Sequence, residues 1–482
     1  MKDINRLIID ARNGQIRVAL VRNDDLDHFF IERETTNAHN YGSIYMGRIE
    51  EIKPGIQAAF INIGVGKNGI LHANDLYFNS DNLPIEKCLK KGQELVVQIN
   101  KEAFADKGPK LTTKVSLSGY YLVLLPMEQG VYFSKKIGDK KEKQRLKAIV
   151  QQLNTRGFGL IVRTEAEGAE VEGLKKELDY LLTRWNKVNP VEIAPKRLLK
   201  DVSIVERMLR DYYNGEIDEI LVNDKDVFDE IQDYFRVYFP NELKKINFID
   251  KLDLISYSGM ETKVSKLFER KVWLRSGGYI VIDYTEACTV IDVNSGKFTG
   301  YHDKEKTFLK INLEATEEIA NQIRLRNIGG IIIIDYINVK RKEEQKSIND
   351  YLKRCLQKDK SITKVYGFTD LCILQMTRQQ QGKRLSTIQM EECPLCNGRG
   401  LIENQEVLFY RAISIIERNQ NLLQQEAITV NVDPHLKELL LAKVENHEEN
   451  FVQRVEEHYN IRIQIESNPY LKFGEIIFTS NL

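Results

Sequence analysis

Two apolar runs in this chain end in aspartate: Thr289-Val290-Ile291-Asp292-Val293-Asn294-Ser295-Gly296 and Gly329-Gly330-Ile331-Ile332-Ile333-Ile334-Asp335-Tyr336. β-Branched residues fill each run and glycines bound it, which predicts two buried strands. A lone carboxylate at the end of such a strand is costly to bury. Two of them at adjacent strand ends would share a divalent cation, because a hard ion such as Mg²⁺ takes carboxylate oxygens and keeps several waters. That is the minimal equipment for metal-assisted hydrolysis of a phosphodiester. Taken singly, either aspartate has a commoner meaning, as a turn former or a helix N-cap. Asn294, Ser295 and Gly296 supply more small polar groups around Asp292 than a plain turn needs. The isoleucines before Asp335 put that charge at the edge of a core.

The chain has six cysteines. Cys88, Cys288, Cys355 and Cys372 are scattered in mostly apolar settings and are expected to be reduced core residues. Cys393 and Cys396 stand in Cys393-Pro394-Leu395-Cys396-Asn397-Gly398-Arg399-Gly400, a knuckle whose glycines let amides turn toward the sulfurs, and this points to zinc. Structural zinc wants four ligands and only two are local. Either two chains share one metal across a two-fold axis, or a distant residue such as His435 completes the set. The run Gly159-Leu160-Ile161-Val162-Arg163-Thr164 ends a strand with a forked donor beside a hydroxyl. That pair suits a terminal phosphate, and it equally suits a surface salt bridge. Lys135, Lys136, Lys140, Lys141, Lys143, Arg145 and Lys147 crowd one segment, most often the mark of a solvated face. His302 is the only histidine near the aspartate runs, which speaks against a metal-free mechanism through a cyclic phosphate.

These residues need several elements to place them, and 482 residues exceed what one core organises. Charge is balanced at 70 basic and 70 acidic residues, so overall charge argues nothing for nucleic acid. No run is long and apolar enough to span a bilayer, and the first residues lack the apolar core of a signal peptide; a cytoplasmic protein is expected. Strands are predicted at 6–10, 15–20 and 28–31, with Asn13-Gly14 turning between the first two. Helices are predicted near 140–153 and over 312–327, the latter carried by Leu313, Ile319 and Ile323 and closed by Gly329 as its C′ residue. Short strands between glycine-bearing turns predict a small barrel over 37–118. Its order of Gly47-Arg48-Ile49, Ala59-Phe60-Ile61 and Gly69-Ile70-Leu71-His72 resembles the S1 RNA-binding domain, an OB-fold. Such barrels present aromatics on which bases stack, and Phe60 and His72 are the candidates.

Together the two aspartate runs, the Arg163-Thr164 strand, Asp106-Lys107-Gly108 before Leu111-Thr112-Thr113, and the cysteine knuckle resemble the bacterial ribonuclease E/G family. The likeness runs from the N-terminus to about residue 400. It implies a multidomain α/β chain: a split RNase H-like domain (1–36 and 204–268), an inserted S1 domain (37–118), an inserted 5′-sensor domain (119–203), a DNase I-like catalytic domain (269–390), a zinc link (391–400) and a small C-terminal α/β domain (401–482). It implies Mg²⁺-dependent cleavage of single-stranded, A/U-rich RNA in rRNA processing and mRNA decay, with 5′-monophosphate sensing and 5′-phosphate and 3′-hydroxyl products. Residue by residue, Asp292 and Asp335 match the metal-binding aspartates and Asn294 their hydrogen-bonding partner. Arg163 and Thr164 match the 5′-phosphate pocket, Phe60 and Lys107 RNA contacts of the S1 domain, and Arg378 a basic position near the sensor. Cys393 and Cys396 match ligands of a zinc ion shared by two chains, giving a homodimer and leaving tetramers open. Ile70 stands where family members often carry a second exposed aromatic. The long scaffold tail found in ribonuclease E is not expected here.

Overall fold

The computed structural model describes residues 4–33, 41–79, 82–102, 107–153, 155–188, 192–296, 304–379, 382–393, 396, 398, 400–402, 404–418, 427–442, 450–460, 462–471 and 474–479. His302, Asp106, Pro394, Leu395, Asn397 and Arg399, named from the sequence above, lie outside them. The chain forms two compact units, Met1–Gln389 and Met390–Leu482. Among the described residues no helix is long and apolar enough to cross a membrane.

The first unit opens with an antiparallel meander, Arg6–Arg12, Gln15–Arg22 and Asp25–Arg33. Asn13 and Gly14 both take positive φ, 54° and 71°, as a tight primed hairpin turn requires. The strand Arg6–Arg12 also pairs in parallel with Glu219–Val222, which pairs with Ile246–Phe248. One sheet therefore unites segments some two hundred residues apart, and Leu7, Ile9, Val18 and Leu20 share a core with Met208, Ile231 and Phe235.

Between those segments lies a closed barrel. Its strands run in the order Ile44–Lys53, Ala58–Asn62, Gly69–His72, Lys110–Thr112 and Glu94–Lys101, and the last pairs back to the first. Tyr45, Ile61, Leu71, Val97 and Leu111 fill it. A second inserted sheet, Val131–Phe133, Gly159–Val162, Leu122–Leu125 and Leu117–Ser118, is backed by the helices Lys140–Gln152 and Val171–Asn186.

The aspartates lie in a six-stranded sheet ordered Lys271–Trp273, Tyr279–Tyr284, Cys288–Asn294, Gly330–Asp335, Ile373–Arg378 and Thr363–Phe368. Among the described residues, only one face is covered. Ile282, Ile291, Ile332, Ile334 and Leu374 pack on Ile311, Ile319 and Ile323 of the helix Lys304–Leu325 and on Ile348 and Leu352 of Lys342–Cys355. The first of these helices carries the chain from the Asp292 strand to its parallel neighbour, the usual use of a helical crossover. It ends earlier than the glycine pattern suggests. Asn327, not Gly329, takes the left-handed conformation (φ 50°), and the Ile328 amide reaches back to the Ile323 carbonyl at 2.9 Å. Asparagine tolerates that conformation, and here its side chain also bonds Arg378 and Lys383.

The second unit holds a three-stranded sheet, Arg462–Ser467, Ala427–Val432 and Ile476–Thr479, with the helices Gln405–Arg418, Pro434–Leu441 and Phe451–Tyr459. Ile428, Val430, Leu436, Leu440 and Val455 form its core.

Candidate active site

Asp292 and Asp335 are direct neighbours in register across the parallel strands Cys288–Asn294 and Gly330–Asp335. Their Cα atoms are thus about 4.8 Å apart, and both side chains emerge on the open face of the sheet. Alternation explains this. Ile291 and Val293 point to the core with Ile332 and Ile334, so Asp292 and Asp335 must point away. The strands expected to be buried are buried on one face alone: both aspartates are exposed and Ile331 is 51% exposed. Partial burial and then the negative charge of Asp292 push the Asp335 carboxyl above its ordinary range. The Asn294 amide donates to Asp292 at 2.7 Å, which fixes one carboxylate and leaves its other oxygen for a ligand.

Backbone on both sides holds these ends in place. Gly296 (φ 60°) lies so close to the Gly277 carbonyl that a Cβ would sit 2.3 Å from it, so packing requires glycine at this position. Beyond Asp335, Ile337 is held by Asn312, whose amide donates to the Ile337 carbonyl at 2.8 Å and whose oxygen accepts its N–H at 3.1 Å. Asn312 is buried and was missed from sequence. A polar residue on the apolar side of an amphipathic helix was its only signal. A cleft of about 240 Å³ opens beside this loop, lined by Phe308, Asn312, Ile337, Lys340 and Arg341 among others. It lies just beyond the carboxyl end of a parallel strand, where open α/β sheets place their ligands.

Arg163 and Thr164 end their strand as expected, but the guanidinium is engaged. It donates to the Gly119 carbonyl at 2.7 Å and to Asp211 at 3.1 Å, and Glu165 lies 3.3 Å away. Thr164 shares a hydroxyl contact of 3.0 Å with Ser134. Lys360 is held nearby, its pKa lowered by burial first, against the pull of Asp211 and Glu165 and with the push of Arg163 and Lys136. The corner is rich in cations, and an arriving phosphate would compete with two carboxylates for Arg163.

Arg378, expected as a basic position near the sensor, stands at the end of the strand Ile373–Arg378. It is buried, donates to Asp359 at 2.6 and 3.1 Å, and bonds Asn327 and the Ile328 carbonyl. Four hydrogen bonds thus hold this interior guanidinium among Asp359, Asn327 and the Ile328 carbonyl.

On the barrel, Phe60 opposes Ile70 and His72 opposes Ala58, which places Phe60, Ile70 and His72 on one outer face, each half-buried. Lys107 is exposed. It precedes Gly108, where a Cβ would stand 1.9 Å from the Asn68 carbonyl oxygen; only glycine lets this segment lie against the strand carrying Ile70. In the second unit, Cys396 is buried and Cys393 exposed, and the Gly400 amide points at the Cys396 sulfur at 3.3 Å. Among the described residues, no three His, Cys, Asp or Glu side chains gather to hold a metal.

Fold and site define a class: a multidomain α/β protein with an OB-like barrel and an acidic pair on an open sheet face. The model of the ribonuclease E/G family matches residues 116–381, and the model of that family's thioredoxin-like domain matches 392–479. Ribonuclease G of Escherichia coli is 31% identical over 96% of this chain and 97% of its own length, and that of Haemophilus influenzae 32% over 97% and 98%. Ribonuclease E of Synechocystis is 36% identical over 76% of this chain and 56% of its own. The chain belongs to the ribonuclease E/G family, and these matches support an endoribonuclease, a hydrolase of a family generally dependent on metal.

Proposed function

We propose that this chain hydrolyses single-stranded, A/U-rich RNA with Mg²⁺ at Asp292 and Asp335, leaves 5′-phosphate and 3′-hydroxyl ends, and serves rRNA processing and mRNA decay in the cytoplasm. The observation that carries this reading is the register of the two carboxylates on an open sheet face, one of them braced by Asn294. The donor set fits the ion: two hard oxygen ligands suffice for Mg²⁺, which keeps most of its waters, and a cation would relieve the repulsion felt by Asp335. When bound, the ion supplies an acidified water and charge stabilisation at the phosphate. Asn294 orients Asp292, and the loop gripped by Asn312 keeps Asp335 in register. Phe60 and His72 offer stacking surfaces to the substrate, with Lys107 beside them for a phosphate. Arg163 and Thr164, with Ser134, form the pocket that prefers a 5′-monophosphate.

The same reading assigns 1–36 with 204–268 to an RNase H-like domain, 37–118 to an S1 domain, 119–203 to a 5′-sensor, 269–390 to a DNase I-like catalytic domain, 391–400 to a zinc link and 401–482 to the small terminal domain. Cys393 and Cys396 share one zinc with the same pair of a second chain. The test is cleavage of labelled single-stranded RNA with Mg²⁺ or EDTA by wild type and Asp335→Asn. Metal-dependent cutting that the substitution reduces at least a hundredfold, with RNA still bound, is expected. Undiminished cutting by Asp335→Asn overturns the site, and binding without cutting by wild type would make the protein an RNA-binding scaffold.

A further inference from the structure

The open face of the six-stranded sheet carries a second group of side chains that the reading above leaves unused. Lys271 and Trp273 lie on its edge strand. Lys271 pairs with Val281, which pairs with Asp292, which pairs with Asp335, so this lysine stands in the same cross-strand row as both aspartates. Trp273 pairs with Tyr279, which pairs with Asn294. Two strand spacings, about 10 Å, therefore separate Trp273 from Asn294 on one face. The Lys271 ammonium sits 3.9 Å from the Trp273 ring centroid and 3.6 Å from that of Tyr279, and the two rings meet edge to face at 5.3 Å. Trp273 remains 61% exposed. At the opposite edge Lys364 lies 4.6 Å over Tyr366, itself 55% exposed, again two strands from the acidic pair.

An exposed tryptophan on a sheet edge leaves a large apolar surface in water, and the lysine between the rings already neutralises their electron-rich faces. A ring plane with a cation beside it is the combination that grips a base and its phosphate in single-stranded nucleic acid without reading sequence. We propose that Trp273, Lys271 and Tyr279 form a stacking subsite for a nucleotide flanking the scissile phosphate, with Tyr366 and Lys364 holding the strand on the other side. The proposal rests on the reading of Asp292 and Asp335 as the cleavage centre. The occupant is the RNA substrate itself, because the positive lysines match its backbone and the aromatic rings match its bases. A protein surface would need its own cover for both.

The test uses the scarcity of tryptophan, since Trp185 and Trp273 are the only two. In protein carrying Trp185→Phe and Asp335→Asn, Trp273 is the sole tryptophan, and excitation beyond the tyrosine absorption band reads it alone. Titration with a single-stranded oligoribonucleotide in Mg²⁺ is expected to quench its fluorescence saturably. Trp273→Ala, alone on the wild-type chain, is expected to weaken binding of fluorescein-labelled RNA about fivefold to a hundredfold, and Trp273→Phe to restore most of it. Unquenched emission at saturating RNA, or unchanged affinity in Trp273→Ala, overturns the subsite. So does a dimer that falls apart on Trp273→Ala with RNA affinity retained, because the face would then bind protein. The cleavage reading fails separately, if Asp335→Asn still cuts.

Discussion

Asp292, Asp335 and Asn294 owe their arrangement to alternation and register, and Arg163 shows how much such local company matters. Taken from the sequence, Arg163 was either a phosphate donor or half of a salt bridge; the structure gives it Asp211 and Glu165 as standing partners. A 5′-phosphate pocket built this way trades one anion for another, so its net preference is modest. A charge-assisted contact contributes about 1.5–3 kcal/mol, roughly ten- to hundredfold. Arg163→Ala is expected to erase the preference for 5′-monophosphate over 5′-hydroxyl RNA in initial-rate comparisons while basal cleavage persists, and an unchanged ratio would move the pocket elsewhere. The residue types of the site were legible because carboxylates at the ends of β-branched runs are conspicuous. Arg378 and Asn312 were not, because whether a polar side chain faces solvent or an interior backbone group depends on packing between segments far apart in sequence.

The strand supporting Arg163 is itself held by a helix. Glu177 in Val171–Asn186 is buried and accepts the amides of Tyr120, Tyr121 and Leu122, the last two at 2.7 Å. The stretch it fastens adjoins the Gly119 carbonyl that holds the Arg163 guanidinium. Glu177→Ala would leave three amides without an acceptor, at about 1–3 kcal/mol each. The variant is expected to unfold this domain at least 3 kcal/mol more easily (~3 kcal/mol), with faster amide exchange at Tyr120–Leu122; exchange at the wild-type rate would show the staple to be dispensable. Elements with a strong local signature were legible, such as the Asn13-Gly14 hairpin and the helix Lys140–Gln152. The end of the helix Lys304–Leu325 was misplaced because two glycines follow an asparagine that can make the same turn. The pairing of Asp292 with Asp335 was out of reach of local pattern, since it is set by how the crossover helix seats on the sheet.

At the scale of the molecule, distant segments are tied by buried charge, and the proposed zinc would tie one chain to another. Asp27 on the first sheet bonds Arg324 at 2.8 Å on the helix beneath the acidic pair and lies 3.1 Å from Arg22. Burial alone would raise its pKa; His28, Arg324 and Arg22 outweigh that and hold it at about 2. A carboxylate depressed on folding contributes stability above its unfolded pKa, near 4, that fades as pH falls toward 2. The shift corresponds to about 2 kcal/mol. Asp27→Asn is expected to melt well below wild type at pH 7, and the gap should close between pH 4 and 2; a gap independent of pH would mean that shape, not charge, makes the contact. The second tie is the proposed zinc. Cys393 and Cys396 supply two thiolates per chain to a metal that wants four ligands, which suits a tetrahedron completed by symmetry. Purified protein is then expected to hold one zinc per two chains and to sediment as a dimer. Cys396→Ser should abolish both together, and strong chelation should reproduce the loss. One zinc per chain, or a dimer that outlasts removal of its metal, would assign the knuckle to folding of its own unit instead of to assembly.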